Sequence, residues 1–366
     1  MHEQPLLRYE NMPAVAQFLP DCESLAQDTG IDLVVCECSG CGLVQLNNDP
    51  VHYFKETIRA SAFSEEMKDF RISQFSTIID RFSLHGKKII EIGCGRGEYL
   101  SLLKECGADP YGLEQSPESV QECLKNELNV SQGFMEHADF TIGHAPFDAF
   151  VILNFLEHLP DINTVLRGIG NNLTDNAIGL VEVPNFDMIL RSKLFSEFTC
   201  DHLFYFTQET ISQTLRLNGF EIVECNEIWH DYIISVVVRK RARLNLEQFH
   251  RHHLKLRSEM EEYINRFRGG KVAIWGAGHQ ALAIMSLMDL SGSIKYVVDS
   301  ATFKQGRYTP ATHIPIVSPE TLESDPVDAV IVMAAGYSDE VSRIIRQRFD
   351  KNLRVSILRD HGLEIA

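Results

Sequence analysis

Lys88-Ile89-Ile90-Glu91-Ile92-Gly93-Cys94-Gly95-Arg96-Gly97 is the stretch that decides the fold. An apolar run of β character breaks at Gly93 into a turn with glycine at every second position, and the amphipathic segment 98–106 follows, with Gly107 as its stop. Strand, glycine-rich turn and helix in that order open a βαβ unit. Glycines at the turn let the backbone pass within contact distance of a ligand, because a side chain there would occupy the ligand's space. A cofactor is therefore expected on this turn.

Further strands read outward from it at 110–114, 150–154, 177–183, 220–224 and 232–238, with helical segments between most of them. Only a short loop separates the last two, as if the final strand joins antiparallel at the edge of a seven-stranded sheet. A second apolar run and glycine-rich turn, Lys271-Val272-Ala273-Ile274-Trp275-Gly276, starts another α/β unit of four or five strands, at 272–275, 294–298, 329–334 and 354–358. Residues 244–268 have helical spacing and many charges, so they read as a connecting helix. The basic run 239–243 before them reads as a solvated boundary. Residues 1–70 contain no long periodic element and read as a small irregular cap. The expected organisation is a cap (1–70), a cofactor-binding core (71–243), and a linker helix with a C-terminal α/β domain (244–366). A length of 366 residues agrees with more than one hydrophobic core.

Fifty-one acidic residues against thirty-four basic ones give a formal charge of -17. Such a surface repels a phosphate backbone, which excludes nucleic acid as the expected partner and leaves a small molecule. The segment MHEQPLLRYENMP has no basic-then-apolar pattern, and no apolar run reaches the ~20 residues of a membrane helix, so a cytoplasmic location is expected. In that compartment the nine cysteines are thiols or metal ligands.

Two cofactor classes use a glycine-rich first turn followed by an acid. Nicotinamide domains read G-x-G-x-x-G and meet a pyrophosphate at the helix start. Here the pattern is E-x-G-C-G-x-G, with Glu91 ahead of Gly93, Cys94, Gly95 and Gly97. A carboxylate at that place repels pyrophosphate and suits the positive sulfonium and amino groups of S-adenosylmethionine. Glu114 closes the next strand, where a carboxylate can accept both ribose hydroxyls, and Gln115 follows it. Glu136, next to Met135, is expected to face the adenine amino group, with Asp139 in reach of the same role. Asn154 and Glu157 are expected to cover the methionine end, and His158 to pack under the cofactor. The fold expected is thus α/β, a class I methyltransferase doubly wound sheet with a second Rossmann-like C-terminal domain.

With these residues in place, the chain resembles the S-adenosylmethionine-dependent sugar C-methyltransferases, which act on keto-deoxysugars linked to a nucleoside diphosphate. The resemblance rests on Cys38-Ser-Gly-Cys41-Gly-Leu-Val-Gln45, on 91–97, on Asp201-His202-Leu-Phe-Tyr205-Phe, and on the stretch from Lys304 through Arg307, Tyr308 and His313 to Pro315. It implies a zinc-binding N-terminal domain, a methyltransferase core and a C-terminal α/β domain. The family's zinc site has two C-x-x-C pairs, and the upstream pair is missing here, so Cys38 and Cys41 are expected to hold zinc at less than one per chain. The family's catalytic Tyr-x-Glu-His is matched by Thr199-Cys200-Asp201-His202, and a further tyrosine that the family carries in the cap is not evident around Ile58 to Ala62.

An ordinary imidazole pKa of ~6.5 makes His202 the expected base for proton removal from the acceptor. Asp201 is expected to orient that ring or hold a substrate hydroxyl. Lys304, Arg307, Tyr308 and His313 form a cationic, hydrogen-bonding stretch suited to a diphosphate-linked sugar, or else a loop that ties the domain together. Oxygen or nitrogen as the methyl acceptor stays open. Gly276-Ala277-Gly278, with Asp299 closing the next strand, keeps a nicotinamide oxidoreductase open as a rival, and a non-catalytic nucleotide-binding protein is a third reading.

Overall fold

The computed structural model describes residues 4–17, 19–56, 64–267, 269 and 271–365. The chain divides into two compact units, Met1–Arg243 and Leu244–Ala366.

In the first unit the elements are β1 (Leu7–Met12), β2 (Ile31–Glu37), β3 (Val44–Leu46), α1 (Glu65–Arg81), β4 (Lys88–Ile92), α2 (Glu98–Glu105), β5 (Asp109–Glu114), α3 (Pro117–Lys125) and β6 (Asn129–Gln132), then β7 (Phe147–Leu153), α4 (Ile162–Asn171), β8 (Leu173–Pro184), α5 (Phe186–Ser192), β9 (Phe204–Tyr205), α6 (Gln208–Leu217), β10 (Phe220–Ile228) and β11 (Ile233–Lys240). The large sheet has the order β10-β11-β8-β7-β4-β5-β6. Strands β4 to β8 pair in parallel, and β11 is antiparallel to both β8 and β10. The expected terminal hairpin is present, but its last strand is inserted between β8 and β10 and does not form the edge. Six consecutive residues of β11, from Ile233 to Val238, are buried, as a strand with neighbours on both sides requires.

Alternation along β7 divides the core into two layers. Phe150 and Ile152 pack with Leu166 of α4 and Leu215 of α6, whereas Ala149, Val151 and Leu153 pack with Phe75 of α1 and Leu103 of α2. The helix starts follow local chemistry: the Ser64, Ser116, Asp161 and Thr207 side chains each accept a backbone N–H of the first turn of α1, α3, α4 and α6. In the second of these layers, α1 is tied to the sheet by a buried ion pair. The Arg71 guanidinium lies 2.6 Å from Glu182 of β8, and neither side chain is exposed. Gln74 bridges them, accepting from Arg71 at 2.7 Å and donating to Glu182 at 2.5 Å.

The cap differs from the expected irregular segment. It is a four-stranded antiparallel sheet, β1-β2-β3-β9, and its last strand comes from the crossover that follows β8. Residues 57–63, including the Ile58 to Ala62 stretch considered for a further tyrosine, lie outside the described residues.

The second unit comprises α7 (Glu247–Asn265), β12 (Val272–Trp275), α8 (His279–Leu287), β13 (Val297–Val298), β14 (Ile316–Val317), α9 (Thr321–Ser324), β15 (Ala329–Val332), α10 (Ser338–Arg348), β16 (Arg354–Leu358) and β17 (Leu363–Ile365). Its sheet has six strands, one or two more than expected, in the order β14-β13-β12-β15-β16-β17. All are parallel except β17. This is the strand order of a doubly wound dinucleotide-type fold. Among the described residues, no helix is long and apolar enough to cross a membrane.

Removing one member of a buried ion pair strands the other charge. Arg71→Met is therefore expected to lower the unfolding free energy of the first unit by about 3–5 kcal/mol, and Arg71→Met with Glu182→Leu to recover most of the loss. Urea denaturation measures both; a single-variant cost under about 1 kcal/mol would place the pair among surface-like bridges and deny it an anchoring role.

Candidate active site

A pocket of about 300 Å³ opens where β4 and β5 end. Gly93, Glu114, Gln115 and Met135 line it, together with Lys55, Phe134, Phe155 and Leu159. Gly93, Gly95 and Gly97 all have positive φ, so the turn is closed to ordinary L residues. Their roles nevertheless differ. A Cβ on Gly93 would sit 2.8 Å from the Phe155 ring that lines the pocket, whereas one on Gly97 would meet Leu128 at 2.5 Å and Cys123 at 3.0 Å inside the protein. Gly93 thus keeps the cradle open, and Gly97 lets α2 pack. Cys94 is fully buried among Leu100, Cys123 and Leu128, so its side chain belongs to the core beneath the turn and does not reach the pocket.

Glu114 braces the turn from the next strand. One carboxylate oxygen accepts from the Gly95 N–H at 2.8 Å and the other from Ser116 N–H at 2.9 Å. Glu91 is buried on β4, two residues before Gly93. Glu136 departs from its expected role: it is solvent-exposed, ion-paired with Lys55, and outside the pocket lining. Lys55 also lies 5.1 Å from the Phe134 ring centre, so the cap supplies a wall that nothing in the spacing of the sequence announces. Asn154, with φ 48°, is exposed at the end of β7, where its N–H donates to the Glu182 carbonyl at 2.9 Å.

Just beyond β7, the single 3-10 turn Leu156–His158 presents Glu157 and His158, both buried. Two hydrogen bonds clip this turn to the crossover before β9. Leu203 N–H donates to the Glu157 carbonyl at 2.9 Å, and His158 Nδ1–H donates to the Asp201 carbonyl at 2.8 Å. The His158 and His202 rings meet edge to face with centres 4.8 Å apart. Burial pushes the Glu157 carboxyl up to about 8, and it pushes His158 below the usual imidazole range. His202 is driven down to about 3, by burial first and by repulsion from His158 second. The ordinary pKa expected for His202 is thus corrected: its ring is neutral throughout the physiological range.

Asp201 does not orient that ring. Its carboxylate accepts from Tyr53 Oη at 2.6 Å and from Gln17 Nε2 at 3.3 Å, both residues of the cap. The Tyr53 hydroxyl also accepts the Ala16 N–H at 2.9 Å, and burial beside Asp201 raises its pKa to about 12. Tyr53 was not singled out by sequence, where it stands alone between His52 and Phe54. Cys38 and Cys41 share a tight turn in which Gly42 N–H donates to the Cys38 carbonyl at 2.8 Å. Backbone N–H groups of Gly40 and Cys41 lower the Cys38 thiol. Among the described residues no third metal-ligating side chain joins this pair.

In the second unit, the expected diphosphate loop is largely self-engaged. Lys304 Nζ is 2.8 Å from Asp299, and Arg307 Nε donates to the Phe303 carbonyl at 3.1 Å. Tyr308 and His313 are exposed. Asp299 also accepts from the Ala277 and Ala301 N–H groups, each at 2.9 Å, as Glu114 does from Gly95 and Ser116, and differs from it in its ion pair with Lys304.

Residues 67–225 match the model of a methyltransferase domain, and residues 240–355 match that of a C-methyltransferase C-terminal domain. "C-methyltransferase NovU" of Streptomyces niveus is 21% identical over 92% of this chain and 88% of its own length. The chain is a methyltransferase. The "Ubiquinone biosynthesis O-methyltransferase" of Pseudomonas fluorescens (strain SBW25) is 30% identical over 30% of this methyltransferase, which spans 49% of that protein. Two solved structures that resemble it are an S-adenosylmethionine-dependent methyltransferase from Clostridium acetobutylicum (13% identity, TM-score 0.41, 52% of this chain and 97% of that one) and the magnesium protoporphyrin IX methyltransferase of Synechocystis PCC 6803 (14%, TM-score 0.40, 51% and 96%).

The pocket suits the methyltransferase's cofactor. Gly93 lets the Phe155 ring close against the turn, Glu114 places a carboxylate in the lining, and Phe134, Met135 and Phe155 offer apolar walls to an adenine. Glu114→Ala removes a carboxylate that holds the turn and faces the ligand, so S-adenosylhomocysteine should bind weaker by ~1–3 kcal/mol. Calorimetric titration checks this, and an affinity within about twofold of the parent would refute the assignment.

Proposed function

We propose that this methyltransferase adds a methyl group to a carbon of a keto-deoxysugar carried by a nucleoside diphosphate. The observation that carries the reading is that likeness to C-methyltransferases runs through both units: the C-terminal unit matches a C-methyltransferase domain, and a relative named as a C-methyltransferase aligns along 92% of the chain. The sugar comes from the motifs around Cys38, His202 and Lys304 that resemble sugar C-methyltransferases.

S-adenosylmethionine, when bound, supplies an electrophilic methyl group on a sulfonium. The chain's own residues must hold the acceptor in line with that group and remove its proton. His202 is the residue for the proton. Its ring is neutral and so has a free lone pair, and a negatively charged acceptor beside it would raise its basicity by attraction. Asp201, fixed by Tyr53 and Gln17, holds the crossover on which His202 stands and so positions the base indirectly. Of the C-terminal loop, Arg307, Tyr308 and His313 keep donors toward solvent for the nucleotide, while Lys304 is committed to Asp299. A second reading, transfer to oxygen, is favoured by the O-methyltransferase relatives of the core.

His202→Ala should lower the rate of methyl transfer by ~10²–10⁴-fold with nearly unchanged S-adenosylhomocysteine affinity. Retention of more than about a tenth of the activity would remove His202 from the role. With a ketone-bearing acceptor in deuterated water, the parent should exchange the proton of the carbon beside the ketone and the variant should not. Turnover without exchange would shift the conclusion to oxygen or nitrogen.

A further inference from the structure

Glu157, His158 and His202 bring one carboxylate oxygen and two imidazole nitrogens within 4.8 Å of one another. From this arrangement we infer that the active site contains a binding site for a divalent first-row transition metal, formed by these three side chains. Nothing in the methyl-transfer reading requires such a site.

Three observations support it independently. The first is the carboxylate. Glu157 is 1% exposed, and its Oε2 has no hydrogen-bond partner among the described residues. Its other oxygen lies 3.8 Å from His158 Nε2. A buried carboxylate without donors is costly, and a cation between it and the imidazoles removes the cost. The second is the tautomer. Because His158 Nδ1 faces a carbonyl, that nitrogen carries the proton, and the lone pair is on Nε2, which faces Glu157. Metal-ligating histidines are held in this way, by donation of the second ring N–H to a backbone carbonyl. The third is rigidity: the Leu203–Glu157 backbone bond fixes the two segments relative to one another, so the ligands do not have to be gathered from separate mobile loops.

Metal–nitrogen and metal–oxygen bonds of ~2.0–2.2 Å need ligand atoms roughly 3–3.5 Å apart, so the 3.8 Å Glu157–His158 spacing closes with a small side-chain adjustment, and the whole set, within 4.8 Å, closes with rotamer movement of about 1–2 Å. Two imidazoles with one carboxylate select Zn²⁺, Co²⁺, Ni²⁺ or Fe²⁺ over Mg²⁺ and Ca²⁺, which take oxygen ligands. Three protein ligands leave positions open toward the acceptor side, where His202 is only half-buried. A metal on the His202 ring takes the lone pair that proton removal uses, so the metal-bound and base-competent forms exclude one another.

The test is Co²⁺ titration of the full chain, followed by visible absorption, with Zn²⁺ as displacing ion. We expect one equivalent of cobalt to give a band that survives in a Cys38→Ser, Cys41→Ser variant. Glu157→Gln and His202→Ala should each weaken the cobalt affinity by about 10-fold or more. Unchanged S-adenosylhomocysteine affinity of His202→Ala certifies that variant as folded. Absence of the band, or its loss in the cysteine variant with retention in the other two, overturns the site. If cobalt binds as expected, Zn²⁺ at one equivalent should also suppress methyl transfer and a chelator should restore it. Binding without suppression keeps the metal site and removes His202 from the role of base, so the two readings fail separately.

Discussion

Two hydrogen bonds between the turn after β7 and the crossover before β9 hold the functional end of this protein together. The Glu157 carbonyl takes the Leu203 N–H, and the Asp201 carbonyl takes His158 Nδ1–H. The turn is set by β7 and so by the core of the parallel sheet. The crossover supplies β9, which completes the cap sheet against β3, and Asp201, which receives Tyr53 and Gln17 from the cap. Through this clip a rigid sheet edge determines where the cap sits and where His202 stands. Phe155, one residue before the turn, closes on Gly93, so the cofactor pocket shares the same anchor. Pocket, His202 and cap are therefore mechanically one assembly.

The core of this assembly was legible because its signals are local. An apolar run, alternate glycines and an acid at the end of the next strand sit within a short span, and each has a direct steric or electrostatic meaning. What escaped was non-local. Strand β9 is two residues long, and its pairing with β3 depends on a partner 160 positions away in sequence, so the cap read as irregular. Tyr53 has no spacing signal at all; its hydrogen bond to Asp201 exists only because the fold brings the cap and the crossover together. The place of β11 was legible in principle: Ile-Ile-Ser-Val-Val-Val is the near-continuous apolar run of an interior strand, and an edge strand should alternate. β6, with the polar sequence Asn-Val-Ser-Gln, carries the opposite signature and occupies an edge.

The second unit shows how a fold-level signature separates from a site. Its strand order is that of dinucleotide-binding sheets, and its first turn has the expected glycines. Yet Gly276 is required by packing, since a Cβ there would lie 2.5 Å from the Met333 carbonyl oxygen, while Gly278 has open space around it. Asp299, at the place where a ribose would be held, spends its oxygens on the Ala277 and Ala301 N–H groups and on Lys304. Two backbone bonds also hold Glu114, so what sets Asp299 apart is the Lys304 ion pair that a dinucleotide would have to displace. The glycines of the turn and the hydrogen bonds around Asp299 therefore have to be read separately, because a fold-level pattern does not by itself make a binding site.

The electrostatics of the active end follow from burial more than from charge pairing. The chain is strongly acidic, yet among the described residues neither lysine nor arginine is paired with Glu157, and burial lowers the pKa of the two histidines beside it. Such a pocket discriminates by sign. With its carboxyl pushed up to about 8 by burial, Glu157 is mostly protonated at neutral pH, so a cation brought there gains the attraction of a carboxylate by displacing that proton. A sulfonium and a metal ion are both cations, and the turn that carries Glu157 begins directly after Phe155, which lines the cofactor pocket. The proposed metal site and the expected place of a positively charged methyl donor thus share one physical feature, a carboxyl group buried beside the pocket with no lysine or arginine paired to it among the described residues.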